Sequence, residues 1–198
     1  MKKIIPIINL AAKFAAVNRT TGYRDGHFEN DAEHSYQLAL VCWSTNEQYY
    51  LGLNNELILK FALVHDLVEL YADDTDAHDD KQKIANKKEI EEKAFKDLKA
   101  EYKFDEIIET IERYEKKKDV EAQLVYMMDK FIPDVNIHLS KGDYYHNRKI
   151  DLADWKKWLL SKIDYKTLDS RLKLLFDESV KEIESNFKDT FYQNNKLI

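Results

Sequence analysis

The sequence predicts an all-α fold in a single domain. Two observations carry that expectation. Glycine and proline are scarce, four and two in 198 residues; so few turn residues argue against a β sandwich or barrel and for long helices. Apolar residues make up 44% of the chain and recur at helical spacing through most of it, which marks buried helix faces and enough material for a core. No stretch reads as a convincing strand. The length suits one sizeable domain over 1–198, with a core over about 10–140 and a C-terminal helical extension over about 151–190.

Taken in order, residues 4–17 form a first helix with Pro6 in its first turn, where a missing N–H costs nothing. Residues 18–30, NRTTGYRDGHFEN, are polar, hold two of the four glycines and read as a loop. Asn30 followed by Glu33 has capping-box spacing, and a helix over about 31–50 follows, ended by Gly52 and Asn54–Asn55. The next helix, about 56–72, contains FALVHDLVELYADD. An acidic turn over 73–80 leads to a charged helix over 81–101, with Ile84, Ile90, Ala94 and Leu98 as its buried stripe. Helices over 104–117 and 120–139 come next; Asp119 is placed to cap the second, and Pro133 to kink or end it. Residues 140–150 read as a loop, and 151–187 as helical with a break near 161–164.

The formal net charge of −6 argues against a nucleic-acid polymer as partner. The single Cys42 rules out an intrachain disulfide framework and fits a reducing compartment. Neither a signal-peptide pattern nor an apolar run near 18 residues is present, so the expectation is a cytoplasmic protein with no membrane partner.

The apolar helix around residue 65 holds His65, Asp66 and Glu69, and charge among such neighbours is usually paired, hydrogen-bonded or bound to metal. His34 and Asp129 stand in two other apolar helices. Imidazoles and carboxylates together suit a divalent transition metal, Mn, Co, Ni, Fe or Zn, better than Mg or Ca. Any one of these residues alone is more often a surface group or a satisfied local partner. Spacing does not establish that the helices meet. Adjacent His65 and Asp66 would point about 100° apart on one helix and reach a common centre only from its flank.

The ordered set AEHS at 32–35, HD at 65–66 and YMMDK at 126–130 resembles the HD-domain metal-dependent phosphohydrolases. NRTTGYR at 18–24, ENDAEHS at 29–35, HDLVELYADD at 65–74 and VEAQLVYMMDK at 120–130 resemble the 5'-deoxynucleotidase branch of that family, over about residues 10–140. The resemblance implies an HD-type helical bundle in which His34, His65, Asp66 and Asp129 bind one metal ion. Glu69, one turn beyond His65, is well placed to hold and deprotonate the attacking water, and the resemblance implies that Arg19 binds the substrate phosphate, with Arg24 a further cationic candidate nearby. It gives Asp74 contact with the sugar 3'-hydroxyl and discrimination against ribose. Thr20 stands where bacterial members carry Trp, and Asp73 where Gly is usual. Glu112 and Glu115 lie near an acid of the family pattern and offer hydrogen-bond partners for a ligand histidine, in a register the sequence leaves open.

The implied function is release of phosphate from a (deoxy)nucleoside 5'-monophosphate by direct attack of water, without a covalent intermediate, since Cys42 sits in an apolar segment with no basic neighbour. Two alternatives stay open: a different small phosphorylated metabolite or (p)ppGpp-like nucleotide, and a non-catalytic HD regulatory module. A homodimer is a further expectation, with Trp155, Trp158, Phe187, Phe191 and Tyr192 as contact surface; the same aromatics are equally suited to covering their own core.

Overall fold

A computed structural model describes residues 4–22, 26–72 and 81–193, with no side chains described over 81–88. Helix α1 spans Ile5–Phe14, with its proline at the start as expected. The polar segment that follows is not a loop throughout. Strands β1, Asn18–Gly22, and β2, Phe28–Asn30, pair antiparallel as a hairpin, with Asn18 opposite Asn30, Gly22 opposite Phe28 and an irregular register between. The sequence hides this hairpin because its strands are short and polar, so their alternation carries no hydrophobic signal. Helix α2, Asp31–Gln48, opens on the expected capping box: the Asn30 side chain accepts from the Ala32 and Glu33 amides, and Glu33 accepts from the Asn30 amide.

The next helix stops early. Helix α3 covers Asn55–Val64 and α4 only Glu69–Ala72; the residues between form a turn rather than the continuous helix expected over 56–72. Its bonds run three residues back, from the Leu67 amide to Val64 at 3.2 Å and from the Glu69 amide to Asp66 at 2.8 Å, which is the tighter 3-10 pitch. The Ala62 carbonyl, the acceptor a continued helix would offer to Asp66, receives the Nδ1–H of His65 at 2.9 Å.

Helices α5, Lys81–Glu101, α6, Asp105–Glu115, and α7, Val120–Leu139, follow closely the expected spans. In α5, Ala94 and Leu98 are buried but Ile90 is exposed, and the Ile84 side chain lies outside the described residues. Asp119 stands at the N-cap of α7 without a capping bond; its carboxylate is held instead by Arg113, at 2.7 and 2.9 Å. Pro133 neither ends α7 nor interrupts it. The expected loop over 140–150 contains helix α8, Asp143–Arg148. Gly142 before it has φ +77°, and a Cβ there would lie 2.3 Å from the Thr190 carbonyl oxygen, so only glycine lets the tail close over this corner. Helices α9, Leu152–Lys162, and α10, Ser170–Asn186, flank the expected break, and a 3-10 turn, Lys188–Thr190, ends the described chain's regular structure.

The main core joins α2, α3 and α7 through Leu38, Ile58, Phe61, Leu124 and Met127, and extends without interruption into Trp155, Leu159 and Phe176 of the tail. A smaller cluster gathers α1, α5 and α6 on Val64 and Leu67. Val64 and Leu67 thereby anchor the turn at residues 65–68. Of the tail aromatics expected on a contact surface, Trp155 and Phe191 are fully buried, Phe187 stacks on His138 at 4.0 Å, and Trp158 and Tyr192 are partly buried. Trp155, Trp158, Phe187 and Phe191 pack on the chain's own core. Trp155 Nε1 and the Tyr145 hydroxyl both donate to the buried carboxylate of Asp134, the former at 2.8 Å. Among the described residues no helix is long and apolar enough to cross a membrane.

Candidate metal centre

Three elements bring four side chains to one point. His34 lies one turn into α2, a position fixed by the capping box; His65 and Asp66 lie on the turn after α3; Asp129 lies midway along α7. One ligand atom from each falls within 4.8 Å of the others. His34 Nε2 is 3.0 Å from Asp129 Oδ1, and His65 Nε2 is 2.9 Å from Asp66 Oδ2 and 3.8 Å from Asp129 Oδ1. The break in the helix is what lets neighbours 65 and 66 share one centre.

These residues fit a cation. The Ala62 carbonyl can only accept, so it holds the proton of His65 on Nδ1. That leaves the Nε2 lone pair facing two carboxylate oxygens, fully buried and without a hydrogen bond. Lone pairs converge on a space that positive charge must fill. His34 answers the same field in another way. Burial opposes its protonation, and Arg19 adds to that, but hydrogen bonds to Asp129 and Glu29 outweigh both and lift its pKa to about 9. Asp66 and Asp129 are held well below the carboxylate range although burial pushes the other way, by the positive charge of Arg19 beside Asp66 and of Lys130 and His34 beside Asp129. The cluster is therefore able to coordinate a divalent metal.

The supporting shell was only partly legible. Glu29, fully buried on β2, sits 3.5 Å from His34 Nδ1 and so orients that ring with Nε2 toward the centre. Neither Glu112 nor Glu115 does this; they pair with Lys99 at 3.1 Å and Lys117 at 3.2 Å. Asp31, also fully buried, forms a second acidic group with Asp66 and Glu69, again within 4.8 Å. Arg19, on β1, is no solvated loop charge. Its Nη1 is 2.7 Å from Asp66 Oδ2 and 3.2 Å from Asp31 Oδ1, and its Nε is 3.5 Å from Glu29 Oε2. Sequence reading assigned no role to Glu29 or Asp31. The available signal was their i, i+2 placement around the cap Asn30, which turns both toward one side. Lys130 was quoted within YMMDK but given no part; its ammonium lies 2.5 Å from Asp129 Oδ2. Arg24 and Asp74, with Tyr23 and Asp73, lie outside the described residues.

The centre opens on a cavity of about 1030 Å³ that Arg19, Glu69, Lys117, Tyr126, Lys130 and Trp158 help to line. That is room for a ligand of nucleotide size. Cys42 is fully buried and burial pushes its thiol far up, so it offers no nucleophile.

The family model for the HD domain matches residues 11–168. A predicted metal-dependent phosphohydrolase from Magnetospirillum magnetotacticum MS-1 has a similar structure, with TM-score 0.75 and 24% identity over 96% of each chain; at that identity the likeness speaks to the fold. A conserved hypothetical protein from Pyrococcus furiosus superposes with TM-score 0.55 and 25% identity, over 89% of this chain and 99% of that one. No curated protein matches. The family match spans most of the chain and includes all four residues of the centre, and the chain belongs to the HD-domain family.

Proposed function

We propose that the protein releases inorganic phosphate from (deoxy)nucleoside 5'-monophosphates, as the 5'-deoxynucleotidase-like motifs imply. The observation that carries the reading is the convergence of His34, His65, Asp66 and Asp129 at one end of a nucleotide-sized cavity, with Glu69 and Arg19 beside them. His34, His65, Asp66 and Asp129 hold one divalent ion of Mn, Co, Ni, Fe or Zn. When bound, such an ion supplies Lewis acidity toward a phosphoryl oxygen and makes water more acidic.

The chain's own residues do the rest. Glu69, in the same acidic group as Asp66, orients the attacking water and accepts its proton. Arg19 holds Asp66 at 2.7 Å and turns the remaining guanidinium donors toward the phosphate, whose charge persists through a loose transition state. The buried thiol of Cys42 supports attack by water without a covalent intermediate. Arg24 and Asp74 are assigned by the motif resemblance, the first to the phosphate and the second to the sugar.

Phosphate release from dAMP, dGMP, TMP, dUMP and dCMP beside AMP, with each candidate metal in turn, tests the reading. Turnover of deoxynucleotides above AMP is expected. Absence of turnover with every metal would remove the nucleotidase and favour a different phosphorylated metabolite or a binding module.

A further inference from the structure

A phosphate dianion needs cationic partners besides a metal ion, and Arg19 already faces three carboxylates, those of Asp66, Asp31 and Glu29. Another wall of the same cavity carries more accessible positive charge. Tyr114, at the end of α6, meets His65 edge-on, with centroids 6.3 Å apart at 84°. The Lys117 ammonium lies 4.0 Å from the centroid of that same Tyr114 ring and 5.2 Å from that of Tyr126. Lys130 lies 4.9 Å from the Tyr126 centroid while touching Asp129. The run His65, Tyr114, Lys117, Tyr126, Lys130, Asp129 thus leaves the metal centre and returns to it, and all six residues line the cavity.

Lys117 is 28% exposed, and its ion-pair partner Glu115 is 56% exposed. Glu115 is the solvated side of the pair, which makes the pair weak, so an incoming dianion can displace this carboxylate. Shielded by two ring faces, the ammonium acts on a bound anion more strongly than a lysine in bulk water.

We propose that Lys117, with Lys130 beside it, is a phosphate-binding wall of the cleft and the element that selects a doubly charged phosphate group. The inference rests on the phosphohydrolase reading above and adds to it a recognition residue that the motifs do not contain.

The test is binding of inorganic phosphate to the full-length, Mn²⁺-loaded protein by titration calorimetry, for the wild type, Lys117→Gly, Lys117→Ala and Lys117→Arg. Lys117 has φ +49°, a conformation glycine adopts freely, so Lys117→Gly removes the ammonium while leaving the turn intact. Loss of one charge-assisted contact should weaken phosphate binding about 10- to 100-fold in Lys117→Gly and Lys117→Ala, with metal content unchanged by elemental analysis. Lys117→Arg should retain most of the affinity. Phosphate affinity in Lys117→Gly equal to the wild type, or no phosphate binding by the wild type, overturns the inference. Lys117-dependent phosphate binding without turnover of any monophosphate supports it while removing the nucleotidase. Nucleotide turnover with phosphate affinity indifferent to Lys117 does the reverse.

Discussion

The raised pKa of His34 makes the metal-free protein's stability depend on pH in a window where few other groups titrate. Burial and the nearby Arg19 lower this pKa, but hydrogen bonds to Asp129 and Glu29 dominate and raise it from 6.5 to about 9. The folded state therefore holds a proton that the unfolded chain releases near 6.5. The stabilisation is fully present below 6.5 and is lost as pH rises through about 9. At about 1.4 kcal/mol per factor of ten, the interval is worth roughly 3 kcal/mol. Urea unfolding of metal-stripped protein between pH 6 and 9.5, beside His34→Gln, isolates the effect. The wild-type advantage should shrink by roughly 3 kcal/mol across that range. Metal ligation needs neutral His34, so apparent Mn²⁺ affinity should rise with pH up to about 9. A stability difference between wild type and His34→Gln that does not change with pH would refute the assignment of these acids to the His34 proton.

Three further outcomes follow from the same geometry. Glu69→Ala should lose about 10²–10⁴ in turnover, the usual effect of removing a proton acceptor, while elemental analysis still finds the metal; near-full phosphate release would end its assigned role. Asp134 is raised to about 7 by burial, against the hydrogen bonds of Tyr145 and Trp155, so the wild type loses stability as pH rises from about 4 through 7. Asp134→Asn cannot ionise, and chemical denaturation should show it gaining on the wild type by a few kcal/mol over that interval and holding the gain at pH 8; parallel curves would contradict the shift. A chain ending near 150 should fail to unfold cooperatively, because Trp155, Leu159 and Phe176 belong to the main core. Light scattering on the full-length chain is then the measurement for the homodimer that the sequence leads one to expect, and a monomer at micromolar concentration counts against it.

The sequence by itself determined most of the helices and the residue types of the centre. Helix signals are local: the capping box at Asn30 and Glu33, the apolar periodicity of α7 and the break after α9 all rest on neighbours within one or two turns. The four positions of the centre were legible as an ordered motif, without any statement of where they meet. Only the tertiary structure brings His34 against Asp129, which lies 95 residues away, and only it shows that the helix breaks after Val64 so that His65 and Asp66 share a centre. At that break the His65 side chain takes the Ala62 carbonyl, although the apolar pattern reads as continuous helix. The hairpin over 18–30 and the engagement of Arg19 by three acids were hidden for a related reason. Short polar strands and buried ion pairs leave no periodic trace, because neither places apolar residues at a fixed spacing. The tail aromatics show the same limit: composition gave their apolar surface, but whether it faces the core or a second molecule depends on packing against helices a hundred residues earlier.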